Sequence, residues 1–211
     1  MRRRAKSLFV SLAVIGPLAG APAWGAGPQP PEAQPDGQPP QAKHDEPRPK
    51  TPAEERADLY ARLAASKDAD ETEGLINRLL HIYSESGSDT GDLLLARARH
   101  AIGVEQYAAA LKILDRTVAL LPDWAEGWNA RATARYLDDD YDGSMADIAQ
   151  TLKREPNHLG ALMGMATILQ ARGKREDALK VFERALAIAP HWRNAEEAAD
   201  KLKKALAGED L

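Results

Sequence analysis

From position 51 onward the apolar residues recur every three to four positions, the spacing of helices that bury one face. Leu59, Tyr60 and Leu63 fall on one such face, and Leu75, Ile76, Leu79, Leu80 and Tyr83 on the next. Thr51-Pro52-Ala53-Glu54 combines a capping box with a proline at the first helical position, so it predicts a helix start, and that helix should end near Ser66. Asp68-Ala69-Asp70-Glu71 marks a second start, with carboxylates placed against the positive end of the helix dipole. The serines and glycines from Ser84 to Gly91 end that second helix. Beyond Asp92 the same patterning predicts six more helices, over roughly 92–103, 106–119, 125–137, 141–153, 159–172 and 175–187, and a last one over roughly 193–207. Convincing alternation of apolar and polar residues is absent, so the fold class is all-α.

These helices repeat in pairs. Pro122, Pro156 and Pro190 are spaced 34 residues apart, and each closes a unit because proline cannot continue a helix. A large residue in the first helix of each pair, Leu94, Trp128 or Leu162, is followed four positions later by a small one, Ala98, Ala132 or Ala166. The second helices carry a small residue and, four later, a large one: Ala110 and Leu114, Ser144 and Ile148, Ala178 and Phe182. A further small residue recurs as Thr117, Thr151 and Ala185. Small side chains at these places let the two helices of a pair approach closely.

This 34-residue pattern resembles the tetratricopeptide repeat (TPR) family, firmly over residues 91–207 and loosely over 53–90. The resemblance implies a right-handed superhelical array of antiparallel helix pairs: three clear repeats, one degenerate N-terminal pair over 51–90, and a C-terminal capping helix. The last helix suits a cap, with Ala195, Ala198, Ala199, Leu202 and Leu206 on one side and charged residues free to meet water on the other. Two departures stand out. Ile76 occupies the place of a small second-helix residue, and Arg97 and Arg131 fill a slot usually given to leucine, which only Met165 keeps apolar. Their stems are expected to lie along the seam between helices with the charged heads reaching water, the alternative being an ion pair across repeats.

Ahead of the helices, Arg2, Arg3, Arg4 and Lys6 precede an apolar stretch from Leu8 to Leu18 and a small-x-small site at Ala21-Pro22-Ala23, which reads as a cleaved export signal over 1–23. The rival reading is a retained anchor, but an apolar run of about 11 residues is short for a bilayer. Residues 24–50 hold eight prolines among glutamines and charges and read as a disordered tether. An exported chain of this kind is expected in the periplasm of a Gram-negative bacterium.

Charge and chemistry narrow the function. Of 28 basic residues, four lie in the first 23 positions, which contain no acidic residue, leaving 24 basic against 32 acidic and a net charge near −8. That excludes a nucleic-acid partner by composition and gives no attraction to an anionic membrane. The chain has no cysteine, so no disulfide, thiolate metal site or lipidated cysteine is available. Asp138 to Gly143 contains the opening of a calcium loop, but the position of its bidentate glutamate is Ala149. A connector between paired helices, with Asp142 as a cap, explains the run better. The histidines make no zinc pattern, and His158 and His191, which follow repeat prolines, are expected in exposed loops. No nucleophile elbow or phosphate loop occurs. No cofactor, metal or catalytic residue is therefore assigned, and the chain is read as non-catalytic.

The family resemblance implies binding of a protein or peptide segment in the groove lined by the first helices. On the repeat register that groove is expected to present Leu95, Arg99 and Ile102, then Asn129, Thr133 and Tyr136, then Met163, Thr167 and Gln170. Trp124 and Trp192, just after two repeat prolines, either stack on a ligand or cover the seam between units. The function expected is an envelope scaffold or adaptor. Self-association and positioning of an envelope enzyme are the alternatives.

Overall fold

The structure is a computed structural model that describes residues 48–208. The expected export signal and most of the tether lie outside the described residues. Within them the chain forms α1 (Pro52–Ala65), α2 (Ala69–Ser84), α3 (Asp89–Gly103), α4 (Tyr107–Leu120), α5 (Ala125–Leu137), α6 (Tyr141–Arg154), α7 (Leu159–Ala171), α8 (Arg175–Ile188) and α9 (Arg193–Leu206), with no strand among the described residues.

Local sequence explains the starts. Thr51 caps α1 and the Glu54 carboxylate accepts back from the Thr51 N–H at 2.8 Å, completing the capping box. Asp68 accepts from the Glu71 N–H and caps α2. α3 begins three residues earlier than its apolar pattern requires, because Ser88 accepts from Gly91 and provides a cap. α6 is capped by Asp140, which accepts from Gly143 at 2.9 Å. The expected cap, Asp142, is instead exposed and pairs with Arg172 at 2.7 Å.

The paired helices α3–α4, α5–α6 and α7–α8 are the three repeats, and α9 covers the last of them through Ala195, Ala199 and Leu202. Ala98, Ala110, Leu114, Ala132, Ile148, Leu162, Ala166, Ala178 and Phe182 are all buried. Ser144, also buried, donates its hydroxyl to the Ala132 carbonyl at 2.8 Å, so the small residue of one helix and the small residue of its partner meet directly. Leu94 and Trp128 are only half-buried. Trp128 is held by its indole N–H, which donates to the Pro122 carbonyl, and by the Arg131 and Arg154 guanidinium groups over its ring, 4.9 and 4.8 Å from the centroid.

Arg131 corrects the sequence expectation. Its head is engaged in ion pairs, the alternative reading: it donates twice to Asp147, at 2.8 and 2.9 Å, and once to Asp115 of the preceding repeat at 2.9 Å. The neighbouring Asp147 carboxylate is buried, and an unpaired charge there would cost several kcal/mol. Arg97 keeps an exposed head, as expected.

The turns inside the three repeats share one conformation. Glu105, Asp139 and Gly173, spaced 34 residues apart, all lie in the left-handed region, with φ of 58°, 66° and 74°. The next N–H in each case donates back to a carbonyl five residues earlier, as in Gln106 to Ala101.

The N-terminal hairpin departs from the array. α1 and α2 pack on each other, but their shared face does not stack on α3–α4. Leu59, Leu75, Ile76, Leu79, Ile82 and Tyr83 instead close over Leu159 and Ala189, with Ile188 and Trp192 alongside. The hairpin thus bridges all three proline turns: the Trp124 indole N–H donates to the Tyr83 carbonyl, Tyr60 donates to the Asn157 carbonyl, and Arg193 pairs with Asp70. Ile76 fits here because no partner helix needs to approach it as closely as in a repeat.

A side chain in the left-handed region costs about 1 kcal/mol that glycine avoids. Glu105→Gly, which copies Gly173, should raise the thermal midpoint by about 2–4 °C for a chain of this size, measured by circular dichroism.

Candidate binding groove

The first helices of the repeats contact one another, α3 with α5 and α5 with α7, whereas α4, α6 and α8 are held apart. That curvature places α3, α5 and α7 on the inner side. Leu95, expected there, is buried among Ala98, Ala101, Leu114 and Ala130 and is a core residue. The other expected residues lie on α3, α5 and α7 and are exposed or half-buried. Thr133 and Thr167 donate their hydroxyls to the Asn129 and Met163 carbonyls one turn back, at 3.0 and 2.8 Å. The Tyr136 ring tilts against Tyr141 with centroids 5.6 Å apart. Gln170 is exposed, while Ile102 and Met163 are half-buried apolar neighbours of the repeat cores.

Two of the expected residues converge on a carboxylate that was not singled out. Glu126 is buried at the start of α5. Arg99 donates to its Oε1 at 2.7 Å, and Asn129 donates to its Oε2 at 3.0 Å. His158 completes the set with Nε2 at 3.1 Å from the same Oε2. His158 is not an exposed loop residue: it is 0% exposed, and its Nδ1 accepts from the Ala161 N–H at 3.2 Å, capping α7. An Nδ1 that accepts leaves the ring hydrogen on Nε2, where it donates to Glu126. Tyr83 stacks on the imidazole with centroids 4.3 Å apart, so the hairpin lies directly over this cluster.

The electrostatics follow from these contacts. Burial alone would raise the Glu126 carboxyl, but the hydrogen bond from His158, then the charge and hydrogen bond of Arg99, outweigh it and hold the carboxyl below its usual range. Behind His158, the Tyr60 and Tyr83 hydroxyls bond each other, and burial pushes both phenols well above their ordinary value, so both stay neutral. Arg56 pairs with Glu155 at the same place. Glu126 was legible in principle: Asp92, Glu126 and Gly160 share one repeat position, three residues ahead of Leu95, Asn129 and Met163. His158 carried no such signal, because its role depends on where the hairpin lands.

The acidic run at Asp138–Asp142 is engaged as a connector. Asp140 caps α6 and lies 3.8 Å from Arg135, and Tyr141 donates to Asp139. Among the described residues no group of three or more metal-ligating side chains comes together. No described helix is long and apolar enough to cross a membrane.

Comparison with known proteins decides the family. A TPR repeat-containing protein of Rhizobium etli is 40% identical over 158 residues, covering 75% of this chain and 78% of that protein. The chain belongs to the tetratricopeptide repeat family. No protein-family model matches it. Among solved structures, the first TPR domain of Spaghetti, bound to an HSP90 peptide, is similar with a TM-score of 0.54 at 20% identity, covering 57% of this chain and 95% of that one. MamA is similar with a TM-score of 0.52 at 14% identity, covering 74% of this chain and 85% of that one. At these identities both likenesses show the TPR fold, an all-helical solenoid, and nothing finer.

Two outcomes test the buried cluster. A carboxyl held lower in the folded chain than in the unfolded one adds stability above its ordinary value of about 4.5, and that stability is lost as pH falls through the folded value. Glu126→Gln should therefore melt lower than the parent at pH 7, with the gap closing as pH falls below about 4.5 in a series of thermal melts. His158→Ala removes a helix cap and one donor to a buried carboxylate, a loss of about 2–4 kcal/mol. Its amides from Leu79 to Tyr83 should exchange faster with deuterium, because the stack that holds α2 is gone.

Proposed function

We propose that this TPR protein is a non-catalytic scaffold of the cell envelope that holds a peptide or protein segment in the groove formed by α3, α5 and α7. The observation that carries the reading is the inner surface left open beside the hairpin. It runs from Arg99 through Thr133 and Tyr136 to Thr167 and Gln170, and it mixes hydroxyl, amide and cationic groups with apolar Ile102 and Met163. Such a surface suits the backbone and alternate side chains of an extended segment. TPR domains of the same fold have been solved with HSP90 and HSP70 peptides, which supports segment binding as the mode of work. Because Arg99 and Asn129 are committed to Glu126, they shape the groove and leave Thr133, Thr167 and Gln170 as the freer contacts. The export signal read in residues 1–23 and the proline-rich stretch read in residues 24–50 support a periplasmic setting.

A photocrosslinking residue at Gln170 in cells should trap a partner that the same residue at Ala187, on the outer side of α8, does not trap. Thr133→Arg should cut that adduct at least tenfold without changing the thermal midpoint. An adduct of equal yield at both positions, or one indifferent to Thr133→Arg, would count against the groove. The mature chain should begin close to Ala23 by mass spectrometry, and an intact Met1 would count against export with cleavage.

A further inference from the structure

The first repeat has an open end. In the second and third repeats, the outer side of the first helix lies on the second helix of the repeat before it. Gly127 faces Thr117 and Val118 of α4 so closely that a Cβ there would sit 3.4 and 3.8 Å from them. Arg131 pairs with Asp115 of α4, and Ala161 and Ile168 are buried. Among the described residues the equivalent positions of α3 have no such neighbour, because the hairpin that precedes it docks across the proline turns instead. Leu93, Arg97 and His100 on α3 and Val104 at its C-cap form a continuous stripe, spaced four, three and four residues apart, and all are exposed. Leu93 is 51% exposed and Val104 49%, which places two large apolar side chains in water at the ends of a cationic centre. Arg97 makes no ion pair among the described residues, although Arg131 at the same repeat position makes three bonds to carboxylates.

We propose that this outer face of α3 is a docking site for an acidic amphipathic helix of a partner protein. The charge pattern selects the occupant. Arg131 is met by Asp147 of its own repeat and by Asp115, which α4 presents from the repeat before; in the first repeat Ile113 stands where Asp147 does, so a carboxylate for Arg97 has to come from a neighbouring helix. Leu93 is larger than Gly127 or Ala161 at the same position, so the partner helix needs small side chains two to three residues after its acidic one. A second copy of this chain does not fit. Two antiparallel α3 helices would pair Leu93 with Val104 but set the Arg97 guanidinium against His100, which offers it no carboxylate. The opposite end of the array is closed by α9, whose outer side carries Lys201, Lys204 and Asp200 and exposes a large apolar residue only at its last position, Leu206, so end-to-end stacking offers no apolar stripe to match Leu93 and Val104. The site is separate from the groove and does not rest on it.

The test uses a probe copied from the array itself: an acetylated, amidated peptide with the sequence Tyr107–Leu121, carrying T117A and V118A to make room for Leu93, and K112E and R116E to make it acidic. Titrated into the 15N-labelled full chain, it should give saturable shifts in the amides of Leu93, Arg97 and His100. Arg97→Glu should weaken its binding at least tenfold, and a D115K version of the peptide should recover most of that loss on the Arg97→Glu chain. These side chains are exposed, so the variants should keep the parent's thermal midpoint. The proposal is overturned if the peptide shifts no α3 amides at 1 mM, or if Arg97→Glu leaves its affinity unchanged. It is overturned as well if sedimentation shows a dimer that Leu93→Glu dissociates, because a second copy would then own the face.

Discussion

Burying an ionised carboxylate is unfavourable by several kcal/mol unless donors meet its lone pairs, and the donors for Glu126 come from three different helices. Arg99 reaches it from α3, Asn129 from α5 itself, and His158 from the cap of α7. One residue thereby fixes how the three first helices sit relative to one another on the inner side. The hairpin adds a fourth tie, since Tyr83 lies flat on the imidazole and its carbonyl accepts from Trp124. A solenoid stabilised only by contacts between neighbouring repeats could flex along its axis. Here a polar cluster and a clasp across the turns both span more than one neighbour, and they work at the same edge.

The repeats themselves rest on a simpler constraint. Where two helices of a pair come close, the side chains between them must be small, and alanine loses no rotamer freedom on burial. Ala98 with Ala110, Ala132 with Ser144, and Ala166 with Ala178 satisfy that requirement in each repeat. Ser144 goes one step further by spending its hydroxyl on the Ala132 carbonyl, which keeps a polar atom in the seam without leaving it unpaired. The large partners, Leu114, Ile148 and Phe182, then fill the wider space four residues on.

These features were readable from the chain because they are periodic and local. Capping at Thr51 and Asp68, the three proline stops and the small–large spacing each depend on residues a few positions apart. What was not readable depends on distant parts meeting. Leu95 follows the groove register of Asn129 and Met163, yet it is buried, because in the first repeat that position turns toward Leu114 and Ala130. His158 sits after a proline like His191, yet only one of them lands under Tyr83 and beside Glu126. Arg131 fills an arginine slot like Arg97, but it meets Asp147 of its own repeat and Asp115 of the one before, whereas Arg97 has Ile113 in the place of Asp147 and no repeat before it among the described residues.

The placement of the hairpin decides two surfaces at once. By docking on Leu159, Ala189 and Trp192 it covers the proline-turn edge and narrows the groove to the stretch beyond Glu126. Among the described residues, the same choice leaves α3 without the neighbour that α5 and α7 possess. Among the described residues, three of the four large apolar side chains that stand most exposed, Leu93, Val104 and Leu120, belong to the first repeat, so the apolar exposure is concentrated where the array begins. The two ends of the solenoid are therefore chemically unlike. α9 closes one end with alanines inward and lysines outward, while α3 presents leucine, arginine and valine to water at the other. A helix pair that could have served as an N-terminal cap is used as a clasp instead, and an end left uncapped keeps the geometry of a repeat interface without its second half.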